Sequence, residues 1–224
     1  MAKEQASGFH WRVIMPVRIV LADDHVLVRQ GLKSLLEREK FQVVAEASYG
    51  QEAVRLTETH HPDICVIDIS MPTLNGIDAA RALVRSCPRT KCILLTQHEE
   101  DQYIREALES GVKGYVLKNQ VAGELILAIQ RVSRGEFYLS PGISRVVVEA
   151  YRSKSERPAD PLTARERQVL QLIAEGKSTK DAASLLSISV KTAESHRMRL
   201  MQKLDIHETA TLVRYAVRRG LVQA

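Results

Sequence analysis

From Val17 to Arg134, short apolar runs alternate with stretches whose apolar residues recur every three or four positions. The runs Val17–Ala22, Gln42–Ala47, Ile64–Asp68, Cys92–Thr96 and Gly114–Lys118 have strand length. Between and after them, Val26–Glu39, Gln51–Thr59, Ile77–Arg85, Asp101–Glu109 and Ala122–Arg134 carry a helical period, as in Val28, Leu32, Leu35 and Leu36. Continuous apolar strands are the mark of parallel sheets covered on both faces. Five such units with short connections predict an α/β doubly wound five-stranded parallel sheet in the order 2-1-3-4-5.

Beyond Pro161 the strand pattern stops. Thr163-Ala-Arg-Glu166 reads as a capping box opening a helix to Ala174, with Gly176 as its stop. Ser178 caps a second helix to about Leu186, Ser189 a third to about Leu204, and a fourth runs from about Glu208 to Arg219. A tight turn between the middle two gives a small all-α, four-helix helix-turn-helix layout. The expected organisation is therefore an arm or over-extended start (1–14), an α/β domain (15–136), a linker (137–160) and a helical domain (161–224). Ile143–Tyr151 could add a short helix before the polar, proline-containing stretch 152–161.

Charge separates the halves. Residues 1–140 carry 17 Lys+Arg against 18 Asp+Glu, whereas residues 141–224 carry 15 against 9. A basic helical domain behind a near-neutral one suggests a nucleic-acid partner. Aromatic residues make up 4% of the chain, too few for a large ring-lined ligand cavity. Cys65, Cys87 and Cys92 form no CxxC pair and fit small core residues in a reducing compartment. No apolar stretch reaches membrane-spanning length or resembles a signal peptide, so a cytoplasmic protein is expected.

The chemistry gathers at the carboxyl ends of the strands, where open α/β sheets bind ligands. Asp23-Asp24 follow strand one, Asp68 ends strand three, Thr96 ends strand four and Lys118 ends strand five. A lone aspartate there is usually a cap or turn former. Three carboxylates on neighbouring strands instead repel one another and need a cation, and oxygen-only ligands in a partly open site favour Mg²⁺. Thr96 and Lys118 would then flank a phosphoryl group on Asp68, and carboxylates accept such groups.

These pieces, Leu21-Ala-Asp23-Asp24-His25, Ile67-Asp68-Ile-Ser-Met71-Pro72, Leu94-Leu-Thr96 and Gly114-Tyr115-Val-Leu-Lys118, resemble the flavodoxin-like receiver domain of two-component response regulators across Val17–Arg134. The resemblance implies phosphoryl transfer from a sensor histidine kinase to Asp68. It implies Mg²⁺ on Asp24, Asp68 and the Ser70 carbonyl, with Asp23 acting through water. Thr96 and Tyr115 would be the switch pair and Lys118 the phosphate contact. Gln97 is larger than the residue usual after the switch threonine, and Ser70 and His98 stand where the family tunes hydrolysis.

The Ser189–Leu204 helix places Val190, Ala193, Leu200, Met201 and Leu204 on an apolar face and Lys191, Glu194, Ser195, Met198, Arg199 and Gln202 mostly opposite. Such a helix can enter the major groove, with cations for phosphates and other side chains for base edges. Leu162–Leu170, Lys191–Arg197 and Lys203-Leu204 resemble the LuxR-type helix-turn-helix, and the whole chain resembles the NarL/FixJ class of response regulator. By that resemblance Lys180, Lys191, Thr192, His196 and Arg197 contact the DNA backbone, and Glu194, Ser195 and Met198 read bases. Ala193 and Lys180-Asp181-Ala182-Ala183 are smaller than the family's usual residues.

The function implied is a phosphorylation-controlled transcription factor, not an enzyme in the ordinary sense. Its partners would be a sensor kinase, double-stranded DNA carrying an inverted repeat, a second copy of the chain once phosphorylated, and RNA polymerase, with no membrane. Two rivals are a protein-interaction regulator whose helical domain no longer binds DNA, and a quorum sensor with a ligand-binding front domain. The linker lets the resting receiver cover the Ser189–Leu204 helix, hiding Lys191 and Arg197. Release would free Leu212, Tyr215 and Arg219 of the last helix for pairing.

Overall fold

The computed structural model describes residues 16–97, 101–143 and 161–222. Expectations for residues 1–14, for His98 and for the greater part of the linker lie outside them; residues 141–143 are helical. The front domain runs β1 (Arg18–Ala22), α1 (Val26–Arg38), β2 (Gln42–Ala47), α2 (Gly50–His60), β3 (Ile64–Asp68), α3 (Gly76–Ser86), β4 (Lys91–Thr96), α4 (Asp101–Glu109), β5 (Gly114–Leu117) and α5 (Val121–Ser133). Lys118 leaves the fifth strand and opens a 3₁₀ turn to Gln120.

The sheet is parallel in the order β2-β1-β3-β4-β5-β6. The sixth strand, β6 (Tyr138–Leu139), corrects the expected count of five. It pairs Gly114 with Tyr138 and Tyr115 with Leu139. Two residues are too few to show a period, so only the sheet edge identifies them as a strand.

Successive strand residues face opposite layers, giving the sheet two cores. Val20, Ala22, Cys65, Ile67, Cys92, Leu94 and Tyr115 lie on one side with Ala53, Leu83 and Ile104 from α2, α3 and α4. Ile19, Leu21, Val66, Ile93, Leu95 and Val116 lie on the other with Leu32 and Leu36 of α1 and Leu125 and Ile129 of α5. The three cysteines are free and buried, and loss of solvation pushes the Cys65 thiol up to about 12.

The helical domain comprises α6 (Ala164–Ala174), α7 (Thr179–Leu185), α8 (Val190–Leu204) and α9 (Thr209–Arg218). Thr163 and Glu166 form the expected capping box, and Ser178 pairs with Asp181 in a second one. The Ser189 hydroxyl accepts from the Thr192 N–H at the start of α8. Leu170, Leu172, Ala182, Leu200, Leu212 and Ala216 build its core. Val190 is a correction: it is 42% exposed and lies off the apolar face. As the first residue of α8 it stands beyond the reach of the packed turns.

The two domains touch through α6. Arg167 Nε lies 3.1 and 3.2 Å from the two carboxylate oxygens of Asp78. Gln171 accepts from the Asn75 N–H at 3.0 Å and donates to the Met71 carbonyl at 2.9 Å. Glu175 accepts from the Thr73 N–H at 2.9 Å. At the end of α9, Arg219 reaches Glu106 of α4 at 3.4 Å, and Gly220 lies so close to the Tyr103 ring that a Cβ would collide with it. This arrangement corrects the expected covering of α8: Lys191, Thr192, Glu194, Met198 and Arg199 remain exposed. It also changes the expected pairing face, because Leu212 is fully buried within its own domain and Arg219 is engaged by the receiver.

Candidate functional site

β1 and β3 are neighbours in register, Ala22 beside Ile67, so the residues that follow them converge. Asp23 is completely buried, Asp68 is 2% exposed, and one side-chain atom each of Asp23, Asp24, His25 and Asp68 lies within 4.8 Å of the others. Asp24 lies nearer the opening, its side chain 31% exposed. Lys118 Nζ sits 2.8 Å from Asp23 Oδ2 and 2.7 Å from Asp68 Oδ2, and each of those oxygens lacks a hydrogen-bond partner apart from that ion contact. Leaving the fifth strand for the 3₁₀ turn brings the ammonium across to the acids.

The pocket's electrostatics follow from burial. Loss of solvation pushes the Asp68 carboxyl above its ordinary range, outweighing the Lys118 ammonium beside it. Burial alone would lower Lys118, but Asp68 and Asp23 together hold it above its usual value. A buried carboxylate set with one ammonium carries an excess of negative charge, the condition under which a divalent cation binds. The donors fit Mg²⁺: they are carboxylate oxygens, one of them open to solvent, so a hard ion could keep part of its water.

The loop after β3 is built for close approach. Gly76 lies against the Asp68 carbonyl where a Cβ would collide, and its N–H donates to the Ile69 carbonyl. Asn75 caps α3 by accepting from the Asp78 N–H at 2.9 Å. The Ser70 N–H donates to Asp68 Oδ1 at 3.3 Å, steadying the carboxylate. Thr96 ends β4 and is 1% exposed, while Gln97 beyond it is exposed. Tyr115, the other member of the expected switch pair, is fully buried on β5 in the core that α2, α3 and α4 cover.

Two neighbours of this pocket escaped the sequence reading. His25 Nδ1 lies 2.8 Å from Asp24 Oδ1. Arg29, one turn into α1, donates to the Asp23 carbonyl and lies 3.5 Å from Glu46. The spacing from Asp23 to Arg29 was the available signal, since one helical turn returns a long side chain to the loop before the helix. Arg167, Gln171 and Glu175 were also missed. At i, i+4 and i+8 they read as a solvated polar stripe, yet Gln171 is 1% exposed.

The second candidate surface is α8. Lys180, Lys191, Thr192, Glu194, Met198 and Arg199 are exposed, and Ser195, His196 and Arg197 are half-buried. Met198, an apolar side chain 67% exposed beside cations, suits contact with a partner's apolar atoms. Arg197 differs from the lysines. Its guanidinium donates to Thr179 at 3.1 Å and Thr209 at 3.0 Å, tying the starts of α7 and α9 together.

Comparison with known proteins covers both domains. Residues 19–130 match the family described as the response regulator receiver domain, and residues 160–216 match the luxR family of bacterial regulatory proteins. The oxygen regulatory protein NreC of Staphylococcus epidermidis is 37% identical over 217 residues, covering 92% of this chain and 100% of the relative. The transcriptional regulatory protein DegU of Brevibacillus brevis is 34% identical, covering 92% and 95%. Among solved structures, the two-component response regulator RcsB in complex with DNA is 26% identical over 90% of this chain and 98% of that one, with a TM-score of 0.57.

Proposed function

This chain belongs to the two-component response regulators that join a receiver domain to a LuxR-type helix-turn-helix, and we propose that Asp68 is its phosphoryl acceptor. As a member it is a phosphorylation-controlled, DNA-binding transcription regulator. The observation that carries the assignment is the convergence of buried Asp68 with Asp23, Asp24 and Lys118 at the ends of three strands. A carboxylate oxygen of Asp68 attacks the phosphorus of a histidine kinase's phosphohistidine. The new P–O bond forms as the donor's P–N bond breaks, and the departing imidazole takes up a proton. Asp24, Asp68 and the Ser70 carbonyl are the proposed Mg²⁺ ligands, with Asp23 assisting through water. When bound, the ion offsets charge on the phosphoryl oxygens. Lys118 takes a phosphoryl oxygen and Thr96 donates its hydroxyl to another, with Tyr115 beside it as the switch partner. Asp68 is itself changed in each event, so the chain acts as acceptor and not as an enzyme in the ordinary sense.

The domain limits proposed are 15–143 and 161–224; the expected receiver boundary at 136 is corrected, because β6 joins the receiver sheet and Tyr138 and Ile143 pack in its cores, which leaves 144–160 as linker. In the second domain, Lys180, Lys191, Thr192, His196, Arg197 and Arg199 face phosphates, and Glu194, Ser195 and Met198 face bases. Operators would be inverted repeats read by a phosphorylated dimer in the cytoplasm, with RNA polymerase as a further contact. Among the described residues no helix is long and apolar enough to cross a membrane. Incubation with acetyl phosphate and Mg²⁺ should add one phosphate by mass spectrometry, lost in Asp68→Asn and lost on chelating the metal. Equal labelling of Asp68→Asn would refute the assignment.

A further inference from the structure

The phosphoryl site opens into a cleft with walls from both domains. Asp24, Ser70, Met71 and Pro72 form the receiver side, and Ala174, Glu175, Leu221 and Val222 form the other. Asp24 and Ser70 of the acceptor site line this cleft, and Asp68, hydrogen-bonded to the Ser70 N–H, is 3% exposed behind them, so a donor's phosphorus approaches Asp68 past this opening. The helical wall is not loosely placed. Gln171 and Glu175 satisfy the Met71 carbonyl and the N–H groups of Thr73 and Asn75, all on the loop that begins directly after β3. Arg167 pairs with Asp78 in the first turn of α3, just beyond that loop, and both are buried. Meanwhile the groove face of α8 stays open to solvent. Closure therefore restricts the acceptor site and leaves the DNA-reading face free.

We propose that the docked helical domain selects the phosphodonor: the closed chain accepts from small phosphate compounds, and a protein phosphohistidine reaches Asp68 only after α6 has left the β3–α3 loop. The inference rests on Asp68 being the acceptor. Size decides the selection. An acyl phosphate is a few atoms long and enters the cleft end-on. A phosphohistidine stands on a helix about 10–12 Å across with its side chains, and its ring extends only its own length from that helix. Ala174, Glu175, Leu221 and Val222 occupy the ground such a helix must cover. Charge bears on the step after transfer and not on the choice of donor, since both donors are anions: the Glu175 carboxylate lines the same cleft. A phosphoryl group on Asp68 then faces that carboxylate and favours the open form. By linkage, whatever holds the domains apart must promote transfer from the protein donor to the same degree that transfer promotes opening.

The test uses the full chain with two donors, acetyl phosphate and a histidine phosphotransfer domain charged at its histidine with phosphoramidate. Arg167→Ala and Gln171→Ala remove interdomain contacts, and neither residue belongs to the acceptor site. The second serves if the first weakens the helical domain, since Arg167 also donates to the Leu162 carbonyl. Expected is at least a tenfold faster transfer from the protein donor in either variant, with the acetyl phosphate rate within twofold of the parent. Unchanged transfer from the protein donor, or an equal rise with both donors, overturns the proposal. Labelling of Asp68→Asn by either donor would instead overturn the acceptor assignment.

Discussion

As proposed phosphate sites, the pocket around Asp68 and the exposed face of α8 are built in opposite ways. In the pocket, Asp68 is 2% exposed and the Lys118 ammonium is held against carboxylates by the fold. On α8, Lys191 and Arg199 are exposed beside Met198. A buried site depends on backbone position to tenths of an ångström, because its charges are dear to bury and cannot be rearranged by water. A solvated face depends on which side chains it presents, and tolerates small shifts of the helix. The difference teaches that substitutions at the pocket should act as all-or-none changes and those at α8 as graded ones.

The sharpest test of that contrast is Gly76→Ala. Its Cβ would collide with the Asp68 carbonyl, so the loop or β3 must shift. We expect the receiver to lose roughly 1–3 kcal/mol in denaturant unfolding. Phosphoryl acceptance should fall far more than stability, while the helical domain's transition stays put. A stable variant with normal labelling would show that the pocket is more tolerant than its burial suggests. Next in size is Glu194→Ala on α8. Selection from random duplexes should show preference relaxed at one base pair, by about 1–3 kcal/mol. Lys191→Ala, by contrast, should weaken all duplexes alike and reduce the salt slope by about one. Identical behaviour of the two variants would erase the division between reading and anchoring.

The smallest effect lies in the helical domain's own buried acid. Glu166 bonds Lys203 at 2.7 Å and the Thr163 N–H at 2.8 Å. Burial opposes its charge, but these bonds outweigh that and hold its carboxyl below the ordinary range. A depressed carboxyl gives stability that is present above the unfolded-state value and is lost as pH falls through the folded one. Glu166→Gln should therefore cost about 1 kcal/mol at neutral pH, in line with loss of a cap. Its deficit should shrink in acid, where the parent loses the same contribution. A deficit independent of pH would assign the effect to packing.

Much of the site was legible because strand ends are legible. Asp23, Asp68 and Thr96 each close an apolar run, and doubly wound topology then puts such ends on one edge of the sheet. Capping boxes at Thr163 and Ser178 were likewise local patterns with local causes. Val190 misled because helical periodicity assigns a face without saying where the covering ends. β6 was hidden by its two-residue length.

The sequence by itself determined the order of elements apart from β6, the acids and lysine at their ends, and the polar side of α8, since all three depend on interactions within a few residues or on the two backbone periods. Only the tertiary structure decided that Lys118 bridges Asp23 and Asp68, that Tyr115 is fully buried, and that Arg167, Gln171 and Glu175 face the β3–α3 loop and the start of α3 and not water. Those contacts join residues as far as 102 positions apart. Whether a polar stripe is solvated or docked depends on the surface that meets it, and no spacing within one helix contains that information.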